Sequence, residues 1–228
     1  MVTLPKVNEL GFFEIRLESI GGLGANLAGK MLAEAGVTGS GLNGVSFSSY
    51  GSEKKGSPVK AHIRFCMPET LIRDTTPVER PHIVGIFHES LYKTTKVTSG
   101  ISEDSLVLVN SAKSPKELKE MLGIIGGTIA VIDAIQIALE EKNRVNMAML
   151  GALFRLCDFL DPEKMKDSIE RLTNPFDNSI CEKCAAIKKA FTLKINEQVA
   201  QNYFVHGEQG EKKGISLDRN LVEWECEL

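Results

Sequence analysis

The sequence predicts an α/β fold: a Rossmann-like, doubly wound, mostly parallel mixed sheet with C-terminal helices and a polar tail. Three observations carry that expectation. An apolar, β-branched stretch over residues 12–20 breaks at Gly21, Gly22 and Gly24 and passes into a helical pattern. Strand, glycine turn and amphipathic helix are the opening of a doubly wound sheet. Further short apolar runs then alternate with helical stretches. Residues 50–58, between the second and third runs, are too few for a helical crossover of a dozen or more residues, so those two strands should be antiparallel neighbours and the sheet mixed.

Each element has its own signal. In the first helix Ala25, Ala28, Met31, Leu32 and Ala35 recur at three- and four-residue steps, and Gly36 is expected to stop it. Later strands are expected at residues 44–49, 59–66, 82–87, 106–110 and 128–132, with a short helix at 90–97. A second helix at 115–122 opens with Ser114 as N-cap, Pro115 in the first turn and Glu117 three residues on, a capping-box pattern. Residues 143–160 are apolar on nearly every helical face, which demands burial in the domain or against another subunit. DPEKMKDSIERL reads as a surface helix, and residues 179–204 as a longer one. The expected organisation is one domain over residues 1–206 and a polar C-terminal extension over 207–228.

The bulk properties exclude some partners. A net charge of −3 and a pI near 5.9 leave no global positive field to attract nucleic acid or an anionic membrane. No run approaches the roughly 18 to 20 apolar residues of a membrane span, and the first residues lack a basic, then apolar, leader pattern. The five cysteines, with Cys181 and Cys184 as one CxxC, make a poor disulfide framework and suit a reducing compartment. A cytoplasmic protein is expected. His62, His82, His88 and His206 are scattered and read as structural.

Two loops carry the candidate chemistry. Gly22, Leu23 and Gly24 supply the GxG of a dinucleotide fingerprint, but Leu27 stands at its third position, with Gly29 displaced by two. The second strand ends in SFSSY, where a ribose-binding Asp or Glu would stand. The loop is open to two readings, a phosphate cradle or a tight turn that lets helix and sheet approach. The second loop, SYGSEKKGSP over residues 49–58, offers Lys54 and Lys55 to an anion and Tyr50 to a partner, or is a solvated turn. Asp133, at a strand end on the carboxyl edge, either meets a ligand or caps the next helix.

At these loops the chain resembles the gamma subunit or domain of 2-oxoacid:acceptor oxidoreductases of the pyruvate:ferredoxin type. GGLG followed by ANLAGKMLAEAG is similar to that family's GxGGQG, small-residue helix and LAEA; SYGSEKKGS is similar to SYG-x-E-x-RGG. Asp133, Ala134, Ile137, Ala138 and Glu140, then Asn146, Met147, Leu150, Gly151 and Ala152, resemble DAxxIAxE and NxxMLGA, and NEQVAQNYFVHGEQ resembles the terminal helix. The chain departs from the pattern at Leu23, in place of Gln, and at Lys55-Gly56-Ser57, in place of Arg-Gly-Gly.

The resemblance implies a subunit of a complex that oxidatively decarboxylates a 2-oxoacid, usually to an acyl-CoA, and passes electrons to ferredoxin. No GDG-type thiamine motif and no CxxCxxCxxxCP cluster run is present. Thiamine diphosphate, Mg²⁺ and 4Fe–4S clusters are therefore expected on thiamine-binding and ferredoxin-like partner chains, with none on this one. This chain would be a structural, access-shaping subunit without catalytic or metal-binding residues. The residues expected to face substrate, cofactor or a neighbouring subunit are Gly21, Gly22, Leu23, Gly24 and Asn26, then Ser49, Tyr50, Gly51, Glu53, Lys54, Lys55 and Gly56, and Asp133. The alternative is an independent dinucleotide-binding oxidoreductase domain, disfavoured by the missing acid after the second strand; a pure assembly module is a third reading.

Overall fold

The computed structural model describes residues 2–51, 57–173, 205–206 and 214–215. The chain divides into two compact units, Met1–Thr173 and Asn174–Leu228. In the first, the order is β1 (Phe13–Ile20), α1 (Ala25–Ser40), β2 (Asn43–Tyr50), β3 (Pro58–Cys66), β4 (Ile83–Ile86), α2 (Leu91–Thr94) and β5 (Leu106–Asn110). It continues with α3 (Pro115–Leu122), β6 (Thr128–Ile132), α4 (Ala134–Glu140), α5 (Val145–Leu156) and α6 (Pro162–Thr173). In the second unit β7 (Val205–His206) pairs antiparallel with β8 (Gly214–Ile215). The expected helix at 179–204, Cys181 and Cys184 lie outside the described residues, as do those just after the expected boundary at 206.

The six strands of the first unit form one mixed sheet in the order β2-β3-β1-β4-β5-β6. β3 runs antiparallel to both β1 and β2, as the short connection requires, and β1, β4, β5 and β6 are parallel. Alternation along β1 sends Phe13, Ile15 and Leu17 to one face, where they meet Ile63 and Phe65 of β3, Met31 and Leu32 of α1, and Leu150 and Leu153 of α5. On the opposite face Val84, Ile86, Val107 and Val109 pack with Leu91, Leu118 and Ile124 from the α2 and α3 regions. The parallel half is thus covered on both sides, as a doubly wound sheet must be.

The antiparallel half hides a polar face. Glu14, Arg16 and Glu18 of β1 lie opposite Arg64, His62 and Lys60 of β3. Alternation alone would point such a face to water. Instead, all but Lys60 are buried, under the chain that follows β3. Arg64 donates to Glu14 at 2.6 Å and to the carbonyls of Asp74 and Thr76 at 2.7 and 2.8 Å. Arg16 reaches the carbonyls of Val78, Glu79, Val97 and Ser99, while its Nε lies 2.8 Å from Glu18. Buried ions persist because paired charges and carbonyls replace lost hydration, and the pairing locks the covering segment to the sheet.

Two expectations need correction. Gly36 does not end α1, which runs to Ser40 and stops at Gly41 in the left-handed conformation with φ 66°. Gly36 is instead a packing glycine: a Cβ there would lie 2.3 Å from Phe65 Cε1. The helix over 143–160 is shorter, α5 covering Val145–Leu156, and its burial is one-sided: Met149, Leu150, Leu153 and Phe154 are enclosed, but Gly151 and Arg155 are exposed. The capping box at Ser114 and Glu117 forms as the sequence predicts. Among the described residues no helix is long and apolar enough to cross a membrane.

Candidate functional site

The described candidate residues lie at the carboxyl edge of the parallel strands, where open α/β sheets bind ligands. After β1 the chain turns sharply through Gly22, φ 101°, and Gly24, φ 78°. Both values strain any residue with a Cβ. At Gly24 space is lacking too, since a Cβ would come within 2.7 Å of Asn146 Nδ2. Asn146 is buried, its amide reaching the Gly24 carbonyl at 3.5 Å, so α5 presses on the turn from below. α1 begins with no side-chain cap and no acidic residue in its first turn.

The two loops are joined. Gly21 N–H donates to the Ser57 carbonyl at 3.1 Å, across the β1–β3 pair, and Gly51 N–H to the Pro58 carbonyl at 3.0 Å, closing the hairpin. Asn26, in the first turn of α1, donates to the Tyr50 hydroxyl at 2.9 Å and accepts from Ser48 Oγ at 2.8 Å. One amide thereby fixes the end of β2 against the glycine turn. Tyr50 still exposes 65% of its surface. Glu53, Lys54, Lys55 and Gly56 lie outside the described residues.

Ser49 is held from the buried polar face. Its Oγ lies 3.1 Å from His62 Nε2, while His62 Nδ1 accepts from Val78 N–H at 3.2 Å. A neutral imidazole with Nδ1 accepting carries its proton on Nε2, so His62 donates to Ser49. Burial first, then the charges of Arg16, Lys60 and Arg64, push the His62 pKa down to about 4. His82 is also lowered by burial, against Glu14, and accepts from the Glu14 N–H at 3.0 Å. Both are structural histidines, as the sequence suggested.

Leu23 and Leu27 face a cleft of about 340 Å³ with Ile135 and Leu139 of α4 and Arg144 before α5. Leu23 also packs against the core, so its side chain works by apolar contact. Arg144 is the one charged residue lining this cleft among those described. With no carboxylate in the lining, the cleft does not fit the Mg²⁺ of thiamine diphosphate, a hard cation that takes oxygen ligands.

Asp133 belongs elsewhere. Its carboxylate accepts from Gln136 N–H at 2.9 Å and caps α4, and it lines a second cleft of about 410 Å³ with His88, Glu89 and Ser111. Buried Asn110 braces that cleft, donating to the Phe87 carbonyl and accepting from Ala134 N–H, both at 2.9 Å. Lys113 and Ser111 hydrogen bonds hold the Glu89 carboxyl below its ordinary range. Sequence reasoning gave no site role to Asn110, Arg144 or Asn146, though Asn146 stood in a recognised motif, and read His62 as structural without its bond to Ser49.

The geometry departs from a dinucleotide site. β3 is inserted between β1 and β2, so the end of β2 stands one strand, about 5 Å, farther from the glycine turn than in adjacent parallel strands. Ser48 and Tyr50 there are engaged by Asn26.

Comparison with known proteins gives the family. The family model described as pyruvate ferredoxin/flavodoxin oxidoreductase matches residues 14–193. The chain is 36% identical over 163 residues to the pyruvate synthase subunit PorC of Thermotoga maritima, covering 71% of this chain and 82% of that protein. It is 35% identical over 181 residues to the pyruvate/ketoisovalerate oxidoreductases common subunit gamma of Pyrococcus abyssi, covering 78% and 95%. The crystal structure of the Thermotoga maritima pyruvate oxidoreductase subunit PORC superimposes with a TM-score of 0.62 at 34% identity, over 73% of this chain and 88% of that one. With the glycine turn, the SYG hairpin and the mixed sheet all in place, the chain belongs to the pyruvate ferredoxin/flavodoxin oxidoreductase family, among its gamma-type subunits.

Proposed function

We propose that this chain is the noncatalytic gamma-type subunit of a cytoplasmic 2-oxoacid:ferredoxin oxidoreductase, and that its glycine turn and SYG hairpin face the thiamine-bearing subunits. The observation that carries the reading is the convergence of both family motifs on one edge, tied by Asn26, with Tyr50 left exposed. A large aromatic held at its hydroxyl end but open on its ring is suited to packing on another surface. Thiamine diphosphate, Mg²⁺ and the clusters reside on the partner chains, which deliver electrons to ferredoxin. This chain covers the active-site region and shapes access to it; residues 1–206 form the gamma-type domain and 207–228 an extension.

The test is reconstitution of the complex with this chain altered only in the hairpin. In the Lys54→Ala, Lys55→Ala double variant, loss of an anion contact lowers turnover per substrate concentration by roughly tenfold or more, from about 1.5 to 3 kcal/mol of lost interaction. Tyr50→Ala weakens assembly with the thiamine-bearing chains. Wild-type kinetics and assembly from both variants would return the hairpin to a solvated turn.

A further inference from the structure

The end of β2 is gripped on both of its faces. Ser48 and Tyr50 turn toward α1, where Asn26 bonds both, and Ser49, pointing the opposite way, meets His62. β2 is an edge strand hydrogen-bonded to β3 alone, so its backbone is held along one side only. Rotation of such a strand about its own axis is resisted by side chains, and a contact on one face would leave the other free to lift.

His62 is 1% exposed and uses both ring nitrogens. Nδ1 accepts from Val78 N–H in the segment that follows β3, Nε2 donates to Ser49 Oγ, and the ring stacks on Phe47 of β2 with centroids 5.1 Å apart. Burying a polar ring costs free energy that an apolar side chain at the same place would not. What the imidazole adds is a bridge from the covering segment to the residue before Tyr50.

We infer that His62 is a positioning residue for the assembled enzyme: through Ser49 it sets the direction in which the exposed Tyr50 ring meets the thiamine-bearing subunits. The inference rests on the proposal that this hairpin faces those subunits. Asn26 fixes the hydroxyl end of the Tyr50 side chain, and Ser49, one residue back, fixes the backbone from which it springs. With both ends fixed the ring loses little further freedom on contact, and preorganisation of this kind appears as affinity. Being buried, His62 acts on the partner only through this strand.

A double-mutant cycle in the reconstituted complex tests this, read as the concentration of this chain that half-saturates the thiamine-bearing subunits. Ser49→Ala removes the acceptor of the His62 bond at a partly exposed position and raises that concentration by about threefold to tenfold, the scale of one hydrogen bond. Ser49→Thr, which keeps a hydroxyl, restores the wild-type value. In a Tyr50→Ala chain the Ser49→Ala change has no further effect, because the ring it positions is gone, whereas a general loss of stability would persist there. His62→Asn keeps an acceptor for Val78 N–H but falls short of Ser49, and repeats the Ser49→Ala result if it folds by circular dichroism; otherwise Ser49→Ala decides the matter. An equal loss from Ser49→Ala in both backgrounds overturns the inference. A Tyr50→Ala effect without a Ser49→Ala effect overturns it too and removes only the role of His62. If Tyr50→Ala itself leaves half-saturation unchanged, the placement of the hairpin falls and the inference with it.

Discussion

His62 gives the buried polar face a measurable pH signature. The native state holds its imidazole neutral down to about pH 4, against an ordinary value of 6.5. Between those values the unfolded chain binds a proton that the folded chain refuses, so stability is full above about pH 6.5, falls as pH drops through the window, and levels off below about 4. Integrating the linkage from pH 7.5 to 5 gives a loss of about 2 kcal/mol from this residue alone. Urea unfolding of wild type and His62→Gln at several pH values in that range isolates the term, since glutamine retains an acceptor for Val78 N–H but does not titrate. His82, lowered by burial, contributes in the same direction in both proteins and cancels from the comparison. The expected outcome is a pH dependence about 2 kcal/mol shallower in the variant over the window. Parallel curves would refute the argument, by showing that folding does not lower the His62 pKa.

Two further substitutions probe the turn and the core. Gly24→Ala forces a Cβ into φ 78° and against Asn146, costing about 1–2 kcal/mol for the backbone and a further steric share that Asn146→Ala recovers in the double variant, read by urea unfolding. Leu153→Asp places a carboxylate at a fully buried position of α5 and costs roughly several kcal/mol, enough to abolish folding or assembly; soluble, fully assembling variant protein would show that this side chain is not enclosed.

The fold was legible where one local signal sufficed. The Ser114 capping box, the hairpin forced by a short connection, and β5 and β6 all stand where composition and spacing put them. Gly36 misled because a glycine reads locally as a stop, while its reason is Phe65, a residue nearly thirty positions away across the helix–sheet contact. The site was half legible for the same reason. Glycines and the SYG run announce themselves, but the Asn26 clamp and the His62–Ser49 bond depend on which strand lies beside which. Asp133 carried two readings because a carboxylate at a strand end suits both, and the Gln136 hydrogen bond identifies a cap.

The chain's departures from the family motifs fall on positions of unequal consequence. Ser57 serves the edge through its carbonyl, which accepts from Gly21 N–H whatever side chain stands there. Leu23 has no side-chain hydrogen bond to offer and instead contacts the core and the cleft wall. The scaffold that joins the glycine turn to the hairpin is Asn26 with Ser48 and Tyr50, none of which is a departure. What the departures alter is therefore side-chain chemistry, an apolar wall where an amide would stand at Leu23 and, in the sequence at Lys55, a point charge in place of a planar two-pronged donor. A lysine can neutralise a carboxylate without dictating its orientation. Lys55→Arg in the reconstituted complex should then change discrimination among 2-oxoacids more than it changes turnover on the best one, a split that a purely solvated lysine would leave unmoved.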